Sequence, residues 1–327
     1  MKALNRGQVP SSLPGFSRRQ FVSGLLVAAT GLSSFKAFGQ AAESEAVIDD
    51  HQHLNYSGRN DEVFLEHQRL MGISRTILLP AGRPVKSAST HDGVSNGLEA
   101  KCAGNEVCYQ FAKAHRENFL FGANEVPDVP EATKEIEKYL KLGAVVIGEQ
   151  KFGVECDSPE MQKIYQLATD YRVPVLMHWQ VKMYNYGFER FHKMLEKYPR
   201  TIFIGHAQTW WANIDQSYQD DDKNLYPKGK VTRGGLTDRY LGDYSNMYGD
   251  LSAGSGLNAL QRDEDHAHEF LQRHRDKLIY GSDCSDLAGT GMSCQGAQTI
   301  VTLKKLAPDR KVQRKLFYEN AKRVFRI

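Results

Sequence analysis

Eight short apolar runs, at residues 46–50, 76–79, 119–123, 145–149, 174–178, 201–205, 247–252 and 278–281, recur along this chain with helical stretches between them. The runs are rich in Val, Ile, Leu and Phe and are bounded by Gly, Pro, Asp or Asn. Continuous rather than alternating hydrophobicity suits strands covered on both faces, which is the pattern of a parallel sheet. The segments between them, 62–71, 107–117, 131–142, 160–171, 187–198 and 265–275, carry a helical period, and a further helix over 309–326 closes the chain. Strand alternating with helix predicts right-handed βαβ units, and eight of them make an α/β fold of the (β/α)8 TIM-barrel type. An open doubly wound sheet is the alternative. Against it, no Gly-x-Gly-x-x-Gly stands at a strand-to-helix turn, and no phosphate-cradling Gly-x-x-x-x-Gly-Lys-Ser/Thr is present. One connection, residues 207–245, is long enough to predict a functional loop at the face where barrel active sites lie.

The front of the chain reads differently. Arg18 and Arg19 precede Phe21, and an apolar stretch to Phe35 leads into a small-residue zone around Ala37 and Ala41. These are the parts of an export signal, too short and too rich in Gly and Ser to span a bilayer comfortably. The paired arginines resemble the twin-arginine signal, which exports folded proteins, so residues 1–40 are expected to be a cleaved signal handled by that machinery. The competing reading is an uncleaved membrane anchor. The expectation is a periplasmic protein without stable membrane insertion, whose barrel occupies residues 46–327 as a single domain. The formal net charge is +3 in 327 residues, and the basic excess sits in the first 40. A near-neutral body gives no electrostatic reason to expect nucleic-acid binding.

Five cysteines are too few and too odd in number for a disulfide framework in a chain of this size. One bridge, Cys102–Cys108 across the Gly- and Asn-containing segment between them, is possible. Without a Cys-x-x-Cys pair, a thiolate zinc site is not expected.

The polar residues that end the strands carry the chemistry. The first run leads into Asp49-Asp50-His51-Gln52-His53 and the fourth into Glu149-Gln150-Lys151; the fifth ends at His178, the sixth at His206 and the eighth at Asp283. Each projects from the C-terminal rim of one barrel, and His51 and His53, two residues apart on a strand, face the same side. Imidazole nitrogen and carboxylate oxygen together suit zinc and neighbouring divalent metals. The remaining histidines, His67, His91, His115, His192, His266, His268 and His274, lie mostly in polar helical stretches and are expected to be solvated.

His-x-His after the first strand, His after the fifth and sixth, and Asp after the eighth resemble the amidohydrolase superfamily. The closing segment Tyr318-Glu319-Asn320-Ala321-Lys322-Arg323-Val324-Phe325 is similar to its amidohydrolase-related branch, which includes the aminocarboxymuconate-semialdehyde decarboxylases. The resemblance implies His51, His53, His178 and Asp283 as ligands of a divalent metal, zinc first and manganese or iron as alternatives, with one or two ions. Glu149 corresponds to a metal-bridging carboxylate in some members and to nothing in the single-metal decarboxylases. Glu149 as a ligand, Lys151 as a substrate contact and a structural role for both therefore stay open.

Asp283 is expected to take and return a proton, and His206 to complete a second metal site or to hydrogen-bond a developing oxyanion. Trp210 and Trp211, with Arg233 or Arg239, are expected to cover and orient a small-molecule substrate, Arg favouring a carboxylate. The expected reaction is metal-dependent hydrolysis of an amide, ester or lactone. Non-oxidative decarboxylation of an aromatic or unsaturated acid is the alternative, and a non-catalytic periplasmic binding protein the third. The family suggests a homodimer.

Overall fold

The computed structural model describes residues 46–91 and 102–327; the expected export signal over residues 1–40 lies outside the described residues. All eight expected strands form: β1 (Ile48–Gln52), β2 (Arg75–Leu78), β3 (Phe119–Phe121), β4 (Ile147–Gln150), β5 (Val175–His178), β6 (Phe203–His206), β7 (Met247–Asp250) and β8 (Leu278–Ile279). They pair in parallel as two arcs, β1 to β3 and β4 to β8. Two contacts close the arcs into a barrel: Ala123, just past β3, bridges to Ile147, and the Asp50 N–H donates to Tyr280 O at 3.2 Å.

Helices cover the outside where the sequence has helical period. They are α1 (Asp61–Leu70), α2 (Asn105–Ala114), α3 (Ala132–Lys141), α4 (Pro159–Tyr171), α5 (His192–Lys197) and α9 (Glu264–Arg273). Their starts are chemically marked. Asn60 Oδ1 accepts from Val63 N at 2.9 Å ahead of α1, and Ser158 Oγ accepts from Met161 N ahead of α4, which begins with Pro159. Four more helices, α6 (Gln208–Ala212), α7 (Leu236–Asp243), α8 (Ala253–Gln261) and α10 (Gln295–Leu306), lie outside the helical segments named from the sequence. Two of these, α6 and α7, break up the long connection at 207–245. The closing helix comes as α11 (Arg310–Arg314), a π turn at Lys315–Glu319 and α12 (Asn320–Phe325). No helix of the described residues is long and apolar enough to cross a membrane.

Strand alternation builds two apolar layers. Ile48, Ile77, Val146, Leu176, Ile204 and Ile279 pack with one another and with Ala321, Val324 and Phe325 of α12, filling the lower barrel. Met177, Phe203, Met247 and Leu278 belong to the larger core under the helices. Two strands break the alternation. The register of β1 shifts between Asp49 and Gln52, and that of β4 between Ile147 and Gln150. Each shift is a bulge that turns one extra residue inward, so Asp50 and His51 both face the interior although they are adjacent.

Close packing explains one glycine directly. A Cβ on Gly205 would lie 2.4 Å from the Trp210 ring, so the indole occupies the space a side chain on β6 would need. Gly205→Ala is therefore expected to lower stability by about 1–3 kcal/mol through overpacking. Adding Trp210→Leu should restore part of that loss. Denaturant unfolding of the two single variants and the double variant checks it, and strictly additive losses would contradict the account.

Candidate metal centre

Above the apolar floor, the next inward residues are polar and buried: Asp50, His51, His53, Glu149, His178, His206 and Asp250, with Asp283 close to the rim. The two acids Glu149 and Asp283 stand between two pairs of imidazoles. Glu149 Oε2 lies 3.7 Å from His51 Nε2 and 3.5 Å from His53 Nε2. Its other oxygen, Oε1, lies 2.5 Å from His178 Nδ1 and 3.6 Å from His206 Nε2. Asp283 divides in the same way. Its Oδ1 is 3.7 Å from His51 Nε2 and 3.6 Å from His53 Nε2, while Oδ2 is 3.6 Å from His206 Nε2. The structure thus brings together His51, His53, Glu149, His178, His206 and Asp283, which the strand-end reading had singled out.

The rings are aimed by what their other nitrogens touch. His53 Nδ1 donates to Leu79 O at 2.8 Å, so its Nε2 lone pair faces the centre. Asp250 does this for two rings at once: its Oδ2 accepts from His51 Nδ1 at 2.7 Å and from His206 Nδ1 at 3.1 Å. Ser252 Oγ donates to the same oxygen at 2.7 Å. Asp250 is the functional residue that the sequence reading missed. It ends the seventh apolar run as His178, His206 and Asp283 end theirs, so the same rule could have found it. Tyr56 is another. Its phenol is held well above the usual range by the charge of Asp283 and by burial, and so stays a proton donor beside that carboxylate. Nothing in the local sequence marks it.

Burial dominates the electrostatics. It depresses His53, and together with the Lys151 ammonium it brings His178 down to about 4. Both rings are therefore neutral and able to donate lone pairs at physiological pH. Burial would also depress His51, but the Asp283 and Asp250 carboxylates more than offset this and push it up. Against burial, the imidazoles hold Glu149, Asp250 and Asp283 below the usual carboxylate range. Asp50 goes the other way, raised by burial and by the charge of Asp250. A Cβ on Gly281 would sit 2.4 Å from Asp50 Oδ1 and 2.7 Å from Asp250 Oδ1, so only glycine leaves room for this acid pair.

These residues fit a divalent cation. Ligating atoms of His51, His53 and Glu149 form one compact group, and those of Glu149, His178 and His206 another. Asp283 Oδ1 is buried without a hydrogen-bond partner. A buried carboxylate oxygen left unpaired is costly unless a proton or a cation meets it. Nitrogen and oxygen donors in this mixture suit zinc, manganese or iron.

Several expected roles need correcting. Trp210 is fully buried between β6 and the surrounding core, with its ring edge on to Phe188, so it cannot cover a substrate. Trp211 is buried too and donates from Nε1 to Asp250 O at 2.9 Å, bracing β7. Arg233 is exposed and pairs with Glu269 on α9. Arg239 lines a surface depression with Asp276 and Lys277, the residues that lead into β8, which places it at the opposite end of the barrel. Lys151 remains near the centre, its Nζ 5.4 Å from the Tyr184 ring, which packs edge on to His178. Cys102 and Cys108 are free thiols rather than a bridge: the Cys108 thiol points to Ala103 O within the core, while Cys102 lies within the field of Asp283 and Glu149. His67, His266 and His274 are buried, not solvated.

If Asp250 aims two rings, Asp250→Asn should lower metal affinity about 10–100-fold while leaving the fold intact. Chelator competition on the full chain, alongside circular dichroism, measures this. Unchanged affinity would deny Asp250 that role.

Comparisons with known proteins follow the same lines. The chain resembles in fold an uncharacterized TIM-barrel protein from Bordetella bronchiseptica, at 14% identity and a TM-score of 0.57, over 86% of this chain and 98% of that one. A probable 2-pyrone-4,6-dicarboxylic acid hydrolase from Acinetobacter baumannii, with citric acid bound, aligns at 14% identity and 0.54, over 86% and 99%. A 5-carboxyvanillate decarboxylase from Novosphingobium aromaticivorans, complexed with manganese and a nitrobenzoic acid, aligns at 16% identity and 0.52, over 81% and 79%. No curated protein matches the sequence. A family model described as amidohydrolase matches residues 98–327, most of the barrel, and with it the chain belongs to the amidohydrolase family of enzymes.

Proposed function

We propose that this protein is a metal-dependent hydrolase of a small-molecule carbonyl substrate, an amide, ester or lactone. One observation carries the reading. Glu149 presents one oxygen to the His51–His53 pair and the other to the His178–His206 pair, and Asp283 spans both sides. A carboxylate shared between two imidazole pairs suits a site that activates water. His51, His53, Glu149, His178, His206 and Asp283 would hold the metal, with zinc the first candidate. When bound, a divalent cation lowers the pKa of water and polarises a neighbouring carbonyl.

The chain's own residues supply the rest. Asp283, held ionised by the surrounding imidazoles, can accept a proton from the attacking water and return it to the leaving group. Tyr56 remains protonated and can donate to Asp283 or to a substrate oxygen. Lys151 places an ammonium at the same mouth, where an anionic substituent of the substrate would be attracted to it. Asp250 fixes the rings of His51 and His206, and burial together with the charge of Asp250 raises the pKa of Asp50.

Decarboxylation is the second reading, favoured by the name of the manganese-bound barrel with which this chain shares its fold. Oxygen-18 water separates the two. Label entering the product is expected, whereas release of carbon dioxide without label would overturn the hydrolase reading. Asp283→Asn should keep more metal bound than His178→Ala, which loses most of it, and should lower kcat by on the order of 10²–10⁴. Full turnover in Asp283→Asn would remove the proton-transfer role. We also propose twin-arginine export to the periplasm, for which a mature N-terminus near residue 40 is the expected mass-spectrometric result.

A further inference from the structure

A second group of ligating side chains lies on the outer side of β1, away from the centre described above. His67 of α1 meets Cys284 and Asp286, from the loop after β8, and Cys294, the residue that caps α10. Their ligating atoms all lie within 4.8 Å of one another. Cys284 Sγ is 3.6 Å from Cys294 Sγ and 3.5 Å from His67 Nε2; Cys294 Sγ is 3.7 Å from His67 Nε2; and Asp286 Oδ2 is 3.2 Å from His67 Nε2.

Four of the six separations match those of a tetrahedron around one ion, and the two between Asp286 and the sulfurs lie within 4.8 Å. Bonds of about 2.3 Å to sulfur and about 2.0–2.2 Å to nitrogen or oxygen place tetrahedral ligand atoms about 3.8 Å (S–S), 3.6 Å (S–N) and 3.3 Å (N–O) apart. A disulfide needs a much shorter sulfur–sulfur distance of about 2.05 Å, and here both cysteines are free thiols. We propose that His67, Cys284, Asp286 and Cys294 form a structural site for a second divalent cation, zinc by its donor set, that closes the loop between β8 and α10.

The surroundings suit a thiolate site. Ala297 N donates to Cys294 Sγ at 3.4 Å at the start of the 12-residue helix α10, where the helix dipole favours negative charge. The Cys284 thiol faces the Cys294 sulfur across 3.6 Å, with His67 Nε2 3.5 Å from the one and 3.7 Å from the other. Met71, Ile73 and Ala297 pack around the two sulfurs and exclude water. Two thiolates, one carboxylate and a neutral imidazole would leave the ion one negative charge in excess. The buried Arg59 guanidinium, whose Nη1 donates to Asp286 O at 3.0 Å, balances it.

All four ligands being in place, the site is closed, as structural zinc sites are, and it has no open position for a substrate. Its consequence is positional. Asp283 adopts φ 43°, a left-handed conformation costly for a residue with a Cβ, and immediately precedes Cys284. A cation fixed to Cys284 would anchor the strained residue from one side, while the Asp283 N–H bond to His51 O at 2.8 Å anchors it from the other.

Cobalt substitution of the intact full chain tests this without any mutation. Thiolate-to-cobalt charge transfer in the near ultraviolet is expected, and it should persist in His178→Ala but vanish in Cys294→Ser. The zinc-loaded protein should lose one equivalent of metal in Cys284→Ser or Cys294→Ser. Both thiols should resist alkylation until a chelator is added. A cobalt spectrum without the thiolate band, or thiols alkylated equally with and without chelator, would overturn the proposal. So would a Cys284–Cys294 disulfide peptide in the non-reducing mass map.

Discussion

Buried carboxylates in excess of their partners organise the mouth of this barrel. Asp50, Glu149 and Asp250 are removed from water and Asp283 nearly so, within a few ångströms of one another. Placing that many acids in a dry cavity is costly unless protons, hydrogen-bond donors or cations meet them. The chain answers in three ways. Burial and the charge of Asp250 push Asp50 towards its protonated form, and Asp250 accepts from two imidazoles and Ser252. Glu149 and Asp283 are left facing four ring nitrogens, an arrangement whose remaining negative charge calls for a bound cation. In the protein without metal, a raised His51 pKa supplies part of that positive charge, and a metal ion would take it over with release of protons.

The same constraint explains why the strands carry bulges where they do. A regular strand alternates, and β1 could then turn only one of Asp50 and His51 inward. The register shifts in β1 and β4 give each strand one additional inward residue, so that a supporting acid and a ligand, or Gly148 and Glu149, occupy consecutive positions. Gly281 makes room opposite. Without the bulges, the barrel would still close and its apolar floor of Ile48, Ile77, Val146, Leu176, Ile204 and Ile279 would still pack, but the donor set would be split between interior and exterior.

What could be read from the sequence follows from which signals are local. An apolar run of four to six residues bounded by turn residues is local, and all eight strands lay where such runs were found. The residue that ends a strand in a barrel lies at the rim, which is why His51, His53, Glu149, His178, His206 and Asp283 could be grouped without coordinates. Long-range facts were beyond reach. The fit of Trp210 over Gly205 depends on the packing of α6 against β6, and an indole in a loop reads like a substrate cover until that contact is known. Arg233 and Arg239 were misplaced because a long connection was treated as one loop at one face. It holds α6 and α7, and α7 carries Arg239 to the far end of the barrel. His67 gave no sign either, since a histidine in a polar helical stretch looks solvated until its partners arrive from more than 200 residues away.

The alternation of β1 finally relates the two clusters of ligating residues. His51 and His53 point into the barrel, and Gln52 between them points out, where its Nε2 donates to Cys284 O at 3.1 Å and to Ser282 Oγ at 2.8 Å. Gln52 Oε1 in turn accepts from Arg59 at 2.7 Å. In the segment after β8, Asp283 turns inward and Cys284 outward. A single pair of neighbouring chain segments therefore presents one face to the candidate catalytic centre and the other to the Cys–His–Asp cluster. Any displacement of the outer cluster would pass through Gln52 and Cys284 to residues one position away from His51, His53 and Asp283. Shared backbone, rather than direct contact, is what would couple them: Gln52 stands between His51 and His53, and Cys284 follows Asp283 directly.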